Sequence, residues 1–333
     1  MTNVAVLGGG SWGTAFSMVM ADAGCDVHMW ARRPEVCADI NERHQNSDYL
    51  SGIELPPTIR ATVDPEEAMA GAEVVVLTVP SQTLRANLAD WAALVPRNAT
   101  VVSLMKGVEL GTLKRMSEVI SEVGDMSPER IAVVSGPNLA REIARREPAA
   151  SVVACADHDV AKQLQGLVHS KAFRPYTSDD VVGCELGGAY KNVVALGVGM
   201  AVGLGFGDNT TASLITRGLA ETARLAVALG ANPITLMGLA GLGDLVATCS
   251  SPLSRNRTFG ERLGNGMTVA DILASTNQVA EGAKSCKSLL ALARQHGIDA
   301  PIAEAVDAVV DGRMTAPELM DTFVMRETKA ELD

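Results

Sequence analysis

The segment at residues 4–15 constrains this chain more than any other. An apolar run, VAVL at residues 4–7, leads directly into GGGSWG at residues 8–13, and a helix-like segment follows. G-x-G-x-x-G between a strand and a helix is typical of a dinucleotide-binding turn: Gly8 allows a tight turn, Gly10 lets the backbone approach a pyrophosphate, and Gly13 lets the helix pack against the strand. The first N–H groups of the helix would then face the diphosphate. The alternative is a glycine-rich turn that binds no ligand.

Short apolar runs alternate with helix-length segments through the first half of the chain. Both faces of these runs are apolar, which is the pattern of parallel strands covered by helices on each side. The alternation therefore predicts an α/β domain with a doubly wound parallel sheet of the Rossmann type. The strands are predicted at residues 4–7, 26–30, 73–79, 100–104, 131–134 and 151–155.

The pattern changes at about residue 185, where long segments rich in Ala, Leu and Val show helical periodicity. After Pro301, for example, apolar residues at 302, 306, 309 and 310 fall on one helical face, and Gly312 follows as a stop signal. We therefore expect two domains, a dinucleotide-binding Rossmann domain at 1–184 and an all-helical substrate-binding domain at 185–333.

Composition and charge exclude several classes of function. With 39 acidic and 28 basic residues the formal net charge is −11, so the chain lacks the basic face that nonspecific nucleic-acid binding needs. The six cysteines form no C-x-x-C pair, which favours reduced thiols and a cytoplasmic location, and we expect no metal. We also expect no membrane span and no basic leader, since Met1 leads directly into the first strand.

Two arginines follow the second predicted strand, where the adenosine ribose of a dinucleotide would lie. An acidic residue at this point usually binds the ribose hydroxyls, but residues 31–33 read Ala-Arg-Arg. The guanidinium groups of Arg32 and Arg33 can grip a 2′-phosphate, which favours acceptance of NADPH. Alternatively, both arginines are solvated surface residues and Glu35 reaches a ribose hydroxyl.

Lys106 follows an apolar run at residues 101–105, where a lysine is costly to bury without an anionic partner. Pro80 and the segment 135–138 also follow predicted strands. Loops at the carboxyl ends of parallel strands line one crevice, here together with residues 8–13. We therefore expect Lys106 to contact a substrate or a phosphate, and the alternative is an ordinary lysine at a strand end.

One lysine stands in the most apolar stretch of the second half. Between Val181 and Gly207 the only charged residues are Glu185 and Lys191, and a spacing of six residues does not let them pair along a helix. Burial lowers the pKa of a lysine, so Lys191 could donate or accept a proton. Alternatively, its stem is buried and its ammonium group reaches water.

A third cluster consists of GLGDLVATCS at residues 241–250 followed by Ser254, Arg255 and Asn256, and it precedes a helix expected to begin near Arg257. Ser254 and Asn256 can cap that helix and Arg255 adds positive charge, so the cluster is suited to bind a phosphate. The alternative is a capped loop with solvated arginines.

Together these motifs resemble the bacterial NAD(P)-dependent sn-glycerol-3-phosphate dehydrogenases. They follow the family's order along nearly the whole chain, and six ordered motifs after the glycine turn are far more specific than any one of them. The motifs are GGGSWGTA (8–15), MKG (105–107), SGPNLARE (135–142), ELGGAYKN (185–192), GLGDL (241–245), SRN (254–256) and VAEG (279–282).

The resemblance implies that dihydroxyacetone phosphate and NAD(P)H are interconverted with sn-glycerol 3-phosphate and NAD(P)⁺, which supplies the glycerophospholipid backbone. It implies that Lys191 is the catalytic proton donor and acceptor and that Lys106 contacts both substrate and cofactor. The other implied substrate contacts are Gly136, Asn138, Asp244, Ser254, Arg255 and Asn256. The implied contacts to NADPH or NADH are Ser11, Trp12, Arg32, Arg33, Tyr49, Ala140, Arg255, Val279 and Glu281.

Several points stay open. Asn138 stands where the family often has serine, although both side chains can donate to a phosphate or hydroxyl. Asp244 could orient Lys191 or contact a substrate hydroxyl. A related hydroxy-acid dehydrogenase and a noncatalytic nucleotide-sensing regulator are the alternative functions; the phosphate cluster argues against the first and the lack of a DNA-binding element against the second. The partner expected is a small phosphorylated substrate, and a homodimer stays open.

Overall fold

The computed structural model describes residues 1–275, 281–324 and 330. The strands are β1 (Asn3–Leu7), β2 (Asp26–Trp30), β3 (Arg60–Thr62), β4 (Val74–Leu77), β5 (Thr100–Ser103), β6 (Ile131–Ser135), β7 (Ala149–Cys155) and β8 (Phe173–Ser178). They form one eight-stranded sheet in the order β3-β2-β1-β4-β5-β6-β7-β8.

Helices cover both faces of this sheet because successive side chains of each strand point to opposite faces. Along β1, Val4 and Val6 belong to the apolar core on one face, and Ala5 and Leu7 belong to the core on the other. The helices of this half are α1 (Ser11–Asp22), α2 (Pro34–Arg43), α3 (Pro65–Met69), α4 (Leu84–Trp91), α5 (Met116–Gly124), α6 (Ala140–Ala144) and α7 (His158–Val168). Single 3₁₀ turns occur at Ser81–Thr83, Ala92–Leu94 and Pro128–Arg130.

The structure confirms the predicted doubly wound sheet, but the sheet is not entirely parallel as predicted. The pair β6–β7 is antiparallel, whereas the other neighbours are parallel, so β7 and β8 run against the first six strands. The connection between these strands contains one short helix, α6, of five residues, instead of a helix long enough to run back along the sheet as in a parallel crossover. The chain therefore enters β7 from the edge at which β6 ends.

Two strands, β3 and β8, were not predicted from the sequence. Strand β3 has only three residues, RAT, and β8 reads FRPYTS with a proline and exposed alternate positions. Both lie at the edges of the sheet, where one neighbour suffices and polar residues are tolerated.

The second half is helical around the buried helix α8 (Val181–Gly203), in which every residue from Gly183 to Ala201 is buried. The predicted boundary between residues 184 and 185 lies inside α8 and stays a prediction. The helix predicted after Pro301 is confirmed as α15 (Pro301–Val310), with Pro301 at its first position and Ile302, Val306 and Val309 buried. The remaining elements are α9 (Asp208–Ala228), α10 (Pro233–Met237), a π-helix (Leu239–Gly243), α11 (Asp244–Ser250), α12 (Arg255–Gly264), α13 (Val269–Ala274), α14 (Glu281–Gln295), α15 (Pro301–Val310) and α16 (Ala316–Val324).

Glycines let α12 pack with its backbone directly against α8. A Cβ atom at Gly199 would overlap the carbonyl of Arg257, and one at Gly260 would overlap the carbonyl of Leu196. This close approach places the first turn of α12 beside the middle of α8, where Lys191 lies.

All six cysteines are buried and unpaired. Among the helices that the structure describes, none combines the length and the apolar character needed to cross a membrane.

Candidate active site

The glycine turn between β1 and α1 leaves room for an anionic ligand. Gly8 adopts φ +136°, and a Cβ atom at Gly13 would overlap the Gly8 carbonyl, so both positions require glycine. A Cβ atom at Gly10 would meet nothing within 4 Å, and no side chain caps the first turn of α1. The indole Nε1 of Trp12 is buried without a hydrogen-bond partner. Free N–H groups above open space fit the diphosphate of a dinucleotide.

A loop at residues 44–53 lies over this turn and brings Tyr49 to it. The Ser11 Oγ donates to the Tyr49 carbonyl at 3.1 Å. The buried Asn46 side chain donates to the Gly9 carbonyl at 3.0 Å and to Thr14 Oγ1 at 2.8 Å. Sequence reasoning missed Asn46, because no motif marks an asparagine that crosses from a loop to a turn 37 residues away.

The two arginines after β2 differ in their contacts. Arg33 donates through Nη2 to Asp48 at 2.6 Å, and its guanidinium lies 5.5 Å from the centroid of the Tyr49 ring. Arg32 is exposed. Both flank the same edge of the sheet as the glycine turn, and Arg33 is already partly neutralised by Asp48.

Lys106, Lys191 and Asp244 meet in one buried cluster. The Lys191 Nζ donates to Asp244 Oδ1 and to Thr248 Oγ1, each at 2.6 Å. The Lys106 Nζ donates to Asp244 Oδ2 at 2.5 Å and to the Gly136 carbonyl at 3.0 Å. The side chains of Lys106, Lys191 and Asp244 are 12%, 10% and 1% exposed. Two ammonium groups thus share one carboxylate, which leaves an excess positive charge in a nearly dry site.

The pKa of Lys106 is lowered to about 8, chiefly by burial and also by the charge of the neighbouring Lys191, although Asp244 opposes the change. Desolvation disfavours the charged form of an amine, so Lys106 releases its proton more readily than a surface lysine.

The π-helix at Leu239–Gly243 delivers Asp244 to this cluster. It packs against α8 at Gly187, where a Cβ atom would lie 2.6 Å from the Ala240 carbonyl. Asp244 then begins α11 and points to Lys191, and Thr248 follows one turn later on the same face. No sequence pattern indicates the π-helix, and Thr248 was not predicted as a site residue.

Gly188 makes room for Lys106 and Ser135. A Cβ atom at Gly188 would lie 2.8 Å from Ser135 Oγ and 3.3 Å from the Lys106 Cγ. In the sequence, the adjacent glycines at 187 and 188 could have indicated this close packing, since glycine weakens a helix and is expected in its middle only where packing requires it.

The predicted phosphate cluster lies at the start of α12. Ser254 caps that helix, as predicted, by accepting from the Arg257 N–H at 3.2 Å, and the helix begins at Arg255, two residues earlier than expected. Asn256 does not cap it; its amide donates to Asn192 Oδ1 at 2.9 Å and accepts from the Gly282 N–H at 2.9 Å.

Glu281 begins α14 in the same region. Burial raises the pKa of its carboxyl group, and the positive charges of Arg255, Lys191 and Lys106 oppose that rise. Arg255, whose charge acts on the same carboxyl group as those of the two lysines, therefore lies near the lysine cluster. Val279, a predicted cofactor contact, lies outside the described residues.

The segment after β6 completes the edge of the site. Gly136 approaches Ser151 so closely that a Cβ atom would lie 2.9 Å from its Oγ. Asn138 donates to Ser151 Oγ at 3.1 Å, and its own Oδ1 is buried without a partner. Ala140 is the first residue of α6, which packs against α1. Gly136, Asn138 and Ala140 thus lie at the edge of the sheet at which β6 ends.

Two family models match most of the chain. The model for the N-terminus of NAD-dependent glycerol-3-phosphate dehydrogenase matches residues 3–161, and the model for the C-terminus matches residues 180–321. The chain belongs to this family. This membership confirms the predicted Rossmann-type fold, the oxidoreductase class and the dependence on NAD(P). The roles of individual residues stay predictions.

Relatives cover nearly the whole chain. It is 61% identical over 327 residues to the glycerol-3-phosphate dehydrogenase [NAD(P)+] of Streptomyces griseus, which spans 98% of this chain and 97% of the relative. It is 61% identical over 332 residues to the enzyme of that name from Thermobifida fusca, with 99% of each covered. A crystal structure of glycerol-3-phosphate dehydrogenase from Coxiella burnetii is 33% identical, covers 97% of this chain and 98% of that one, and superimposes with a TM-score of 0.93.

Proposed function

We propose that this chain reduces dihydroxyacetone phosphate to sn-glycerol 3-phosphate with NADPH or NADH, reversibly, and so supplies the backbone of glycerophospholipids. The observation that carries this proposal is the cluster in which Lys106 and Lys191 share Asp244, placed beside the start of α12 at the cofactor-binding edge of the sheet. A buried site with excess positive charge suits a substrate that brings a phosphate and develops an oxyanion.

Arg255 and the first turn of α12 would hold the phosphate. Arg255 adds a guanidinium group to the first turn of α12, where Ser254 caps the Arg257 N–H and the N–H groups before it point out of the helix end. A guanidinium forms paired, charge-assisted bonds with phosphate oxygens. Fixing the phosphate would orient the carbonyl carbon toward the nicotinamide, which is the role of positioning in such reactions.

Lys191 would supply the proton. When bound, the nicotinamide provides the hydride, and negative charge then grows on the carbonyl oxygen. An ammonium group held by Asp244 and Thr248 at 2.6 Å from each has a fixed direction and can stabilise that charge before it donates its proton. Lys106 would add a second positive charge between substrate and cofactor.

The proposal is tested by following oxidation of NADPH and NADH with dihydroxyacetone phosphate, phosphate-free dihydroxyacetone and a series of 2-oxo acids. Of these substrates, we expect only dihydroxyacetone phosphate to be turned over rapidly. Faster turnover with a 2-oxo acid would favour a hydroxy-acid dehydrogenase, and cofactor binding without any turnover would favour a nucleotide sensor.

We also propose that the chain forms a homodimer through the apolar surface of α10, the π-helix and α11. Ile234 is 69% exposed and Met237 71%, and Leu242 and Val246 next to them are also exposed. Exposed apolar patches mark interaction surfaces, and a second copy would cover this one. Analytical ultracentrifugation should give a dimer for the wild type and a monomer for Ile234→Glu; a monomeric wild type would contradict the proposal.

For the location we propose the cytoplasm, since six buried thiols without disulfide partners suit a reducing compartment. Cell fractionation tests this proposal.

A further inference from the structure

The backbone that carries Lys106 continues into a tight turn, residues 108–115, which we call the hairpin loop. Val108 and Arg115 form an antiparallel bridge, and the Glu109 N–H donates to the Lys114 carbonyl at 2.9 Å. Lys106 lies two residues before the loop. The position of the loop therefore sets the direction in which the Lys106 side chain leaves the backbone.

Gln82 fastens the beginning of the hairpin loop. Its Nε2 donates to the Val108 carbonyl at 2.8 Å, and its Oε1 accepts from the Leu110 N–H at 2.9 Å. Gln82 lies in the 3₁₀ turn that follows β4. The neighbouring Ser81 packs closely against Gly107, where a Cβ atom on Gly107 would lie 2.5 Å from the Ser81 Oγ. The Gln82 side-chain amide both donates to and accepts from the loop backbone, so the hairpin loop can pair with the 3₁₀ turn in only one register.

Arg85, one turn further along, adds an ion pair to the same segment. Its Nε and Nη2 donate to the Glu109 carboxylate at 3.0 and 2.9 Å, and Thr112 Oγ1 donates to the same carboxylate. Glu109 is buried. Paired guanidinium–carboxylate bonds restrict direction as well as distance, so they limit rotation of the loop.

Glu185 fastens the other end of the hairpin loop to α8. Its Oε2 accepts from Arg115 Nη1 and from Ser117 Oγ, each at 2.6 Å, and its Oε1 accepts from the Ser117 N–H at 2.8 Å. The Glu185 side chain is 3% exposed. Glu185 precedes Lys191 by six residues on the same helix, so the loop is tied to the element that carries the second lysine of the cluster.

We propose that Gln82 and Glu185 are positioning residues for the reduction, because they hold the hairpin loop at its two ends and so keep Lys106 at the carboxylate of Asp244. The inference rests on the proposed function. Neither residue belongs to the lysine cluster, and each is bonded to the segment that follows Lys106, at residues 108–117. A displacement of about 1 Å would break the 2.5 Å contact of Lys106 with Asp244, and misplacements of that size cost up to about a hundredfold in rate.

The test compares Gln82→Met and Glu185→Gln with a matched control, Gln165→Met. Gln165 is also half-buried and donates to a backbone carbonyl, that of Pro175 at 3.0 Å, but it lies on α7 far from the hairpin loop. We expect kcat with dihydroxyacetone phosphate to fall between about tenfold and a hundredfold in the first two variants and to stay within about twofold in the control. The dissociation constant of NADPH should stay within about twofold in all three. Gln82→Asn, which is too short to reach both backbone groups, replaces Gln82→Met if that variant does not fold.

The same changes made in a Lys106→Ala background separate positioning from a general structural role. Because the two residues act through Lys106, their effect on kcat should shrink to less than about twofold when Lys106 is absent. An equal loss in both backgrounds, no loss in either, or the same loss in Gln165→Met would overturn the inference.

A readout without turnover keeps this test independent of the proposed function. Acetic anhydride labels unprotonated amines, and mass spectrometry can follow the labelling of Lys106 alone. Gln82→Met and Glu185→Gln should each raise the labelling rate of Lys106 at least about threefold over the wild type, and Gln165→Met should not. If wild-type protein does not reduce dihydroxyacetone phosphate, the proposed function fails, whereas unchanged Lys106 labelling in both variants refutes the positioning role.

Discussion

Replacing Lys106 with methionine should stabilise the protein at neutral pH while it removes activity. Burial, together with the charge of Lys191 and against that of Asp244, lowers the pKa of Lys106 from the usual 10.5 to about 8. A pKa that is lower in the folded than in the unfolded chain means that the unfolded chain holds the proton more tightly. The charged lysine therefore opposes folding at every pH below about 8.

The size of this effect follows from the two pKa values. The difference between 10.5 and about 8 corresponds to about 3.4 kcal/mol at pH 7, an upper limit because methionine must also fit the space. Between about pH 8 and 10.5 the folded chain has released the proton and the unfolded chain has not, so wild-type stability rises with pH through this window. At about pH 9.5 Lys106 still lowers the free energy of unfolding by about 1.4 kcal/mol. The gain in stability of Lys106→Met over the wild type should thus be about 2 kcal/mol smaller at about pH 9.5 than at pH 7.

Urea unfolding of wild type and Lys106→Met at about pH 7 and pH 9.5 measures this difference. Lys287→Met is the control, since Lys287 is half-exposed and pairs with Asp311 at 2.8 Å on the surface, where such pairs contribute little. The initial rate with dihydroxyacetone phosphate should fall at least about a hundredfold in Lys106→Met alone. A Lys106→Met protein less stable than wild type at pH 7, or an advantage that does not change with pH, would refute the reasoning.

Four further substitutions test separate parts of the site. Lys191→Ala should lower kcat at least about a hundredfold while the dissociation constant of NADPH stays nearly unchanged; normal turnover would contradict its role as proton donor. Arg255→Lys should weaken the preference for dihydroxyacetone phosphate over phosphate-free dihydroxyacetone, because a point charge cannot replace the planar fork; an unchanged ratio of the two rates speaks against phosphate binding there. Changing both Arg32 and Arg33 to alanine should weaken NADPH about 10- to 150-fold more than NADH in fluorescence titrations, less so at high salt, and equal losses would rule out a contact with the 2′-phosphate. Gly188→Ala should fold but lose activity, since its methyl group would displace the lysine stem and the serine hydroxyl that adjoin it; full activity would show that this space is not needed.

Local patterns were enough to predict most of the sheet. Strands β1, β2 and β4 to β7 are apolar runs whose formation depends on their own sequence, and the structure has all of them within three residues of the predicted ends. The edge strands β3 and β8 form because a neighbour offers free backbone groups, which a polar segment does not reveal. The direction of β7 depends on the length of α6, a property of the connection and not of the strand.

The members of the site were predicted one by one, but their pairing was not. Lys106 and Lys191 were each marked by a charge in apolar surroundings, and Asp244 by its place in a glycine-rich motif. That one carboxylate serves both lysines depends on where the π-helix lies against Gly187, 57 residues before Asp244 along the chain. Asn46 and Asn192 were missed for the same reason, because their partners come from distant segments.

Helix α8 shows what a buried segment reveals about its surroundings. An unpaired polar group in a low-dielectric interior is costly, so each polar residue in a helix that is buried on all sides predicts a partner of complementary chemistry. The structure provides such partners for four of its residues: Arg115 and Ser117 for Glu185, Glu221 for Tyr190, Asp244 and Thr248 for Lys191, and Asn256 for Asn192. Two of these pairs join α8 to α9 and α12, one joins it to α11, and one joins it to the hairpin loop and the start of α5. The polar residues that the helix must satisfy are therefore also the residues that fix the surrounding elements around Lys191, so burial and the placement of the reactive lysine follow from the same contacts.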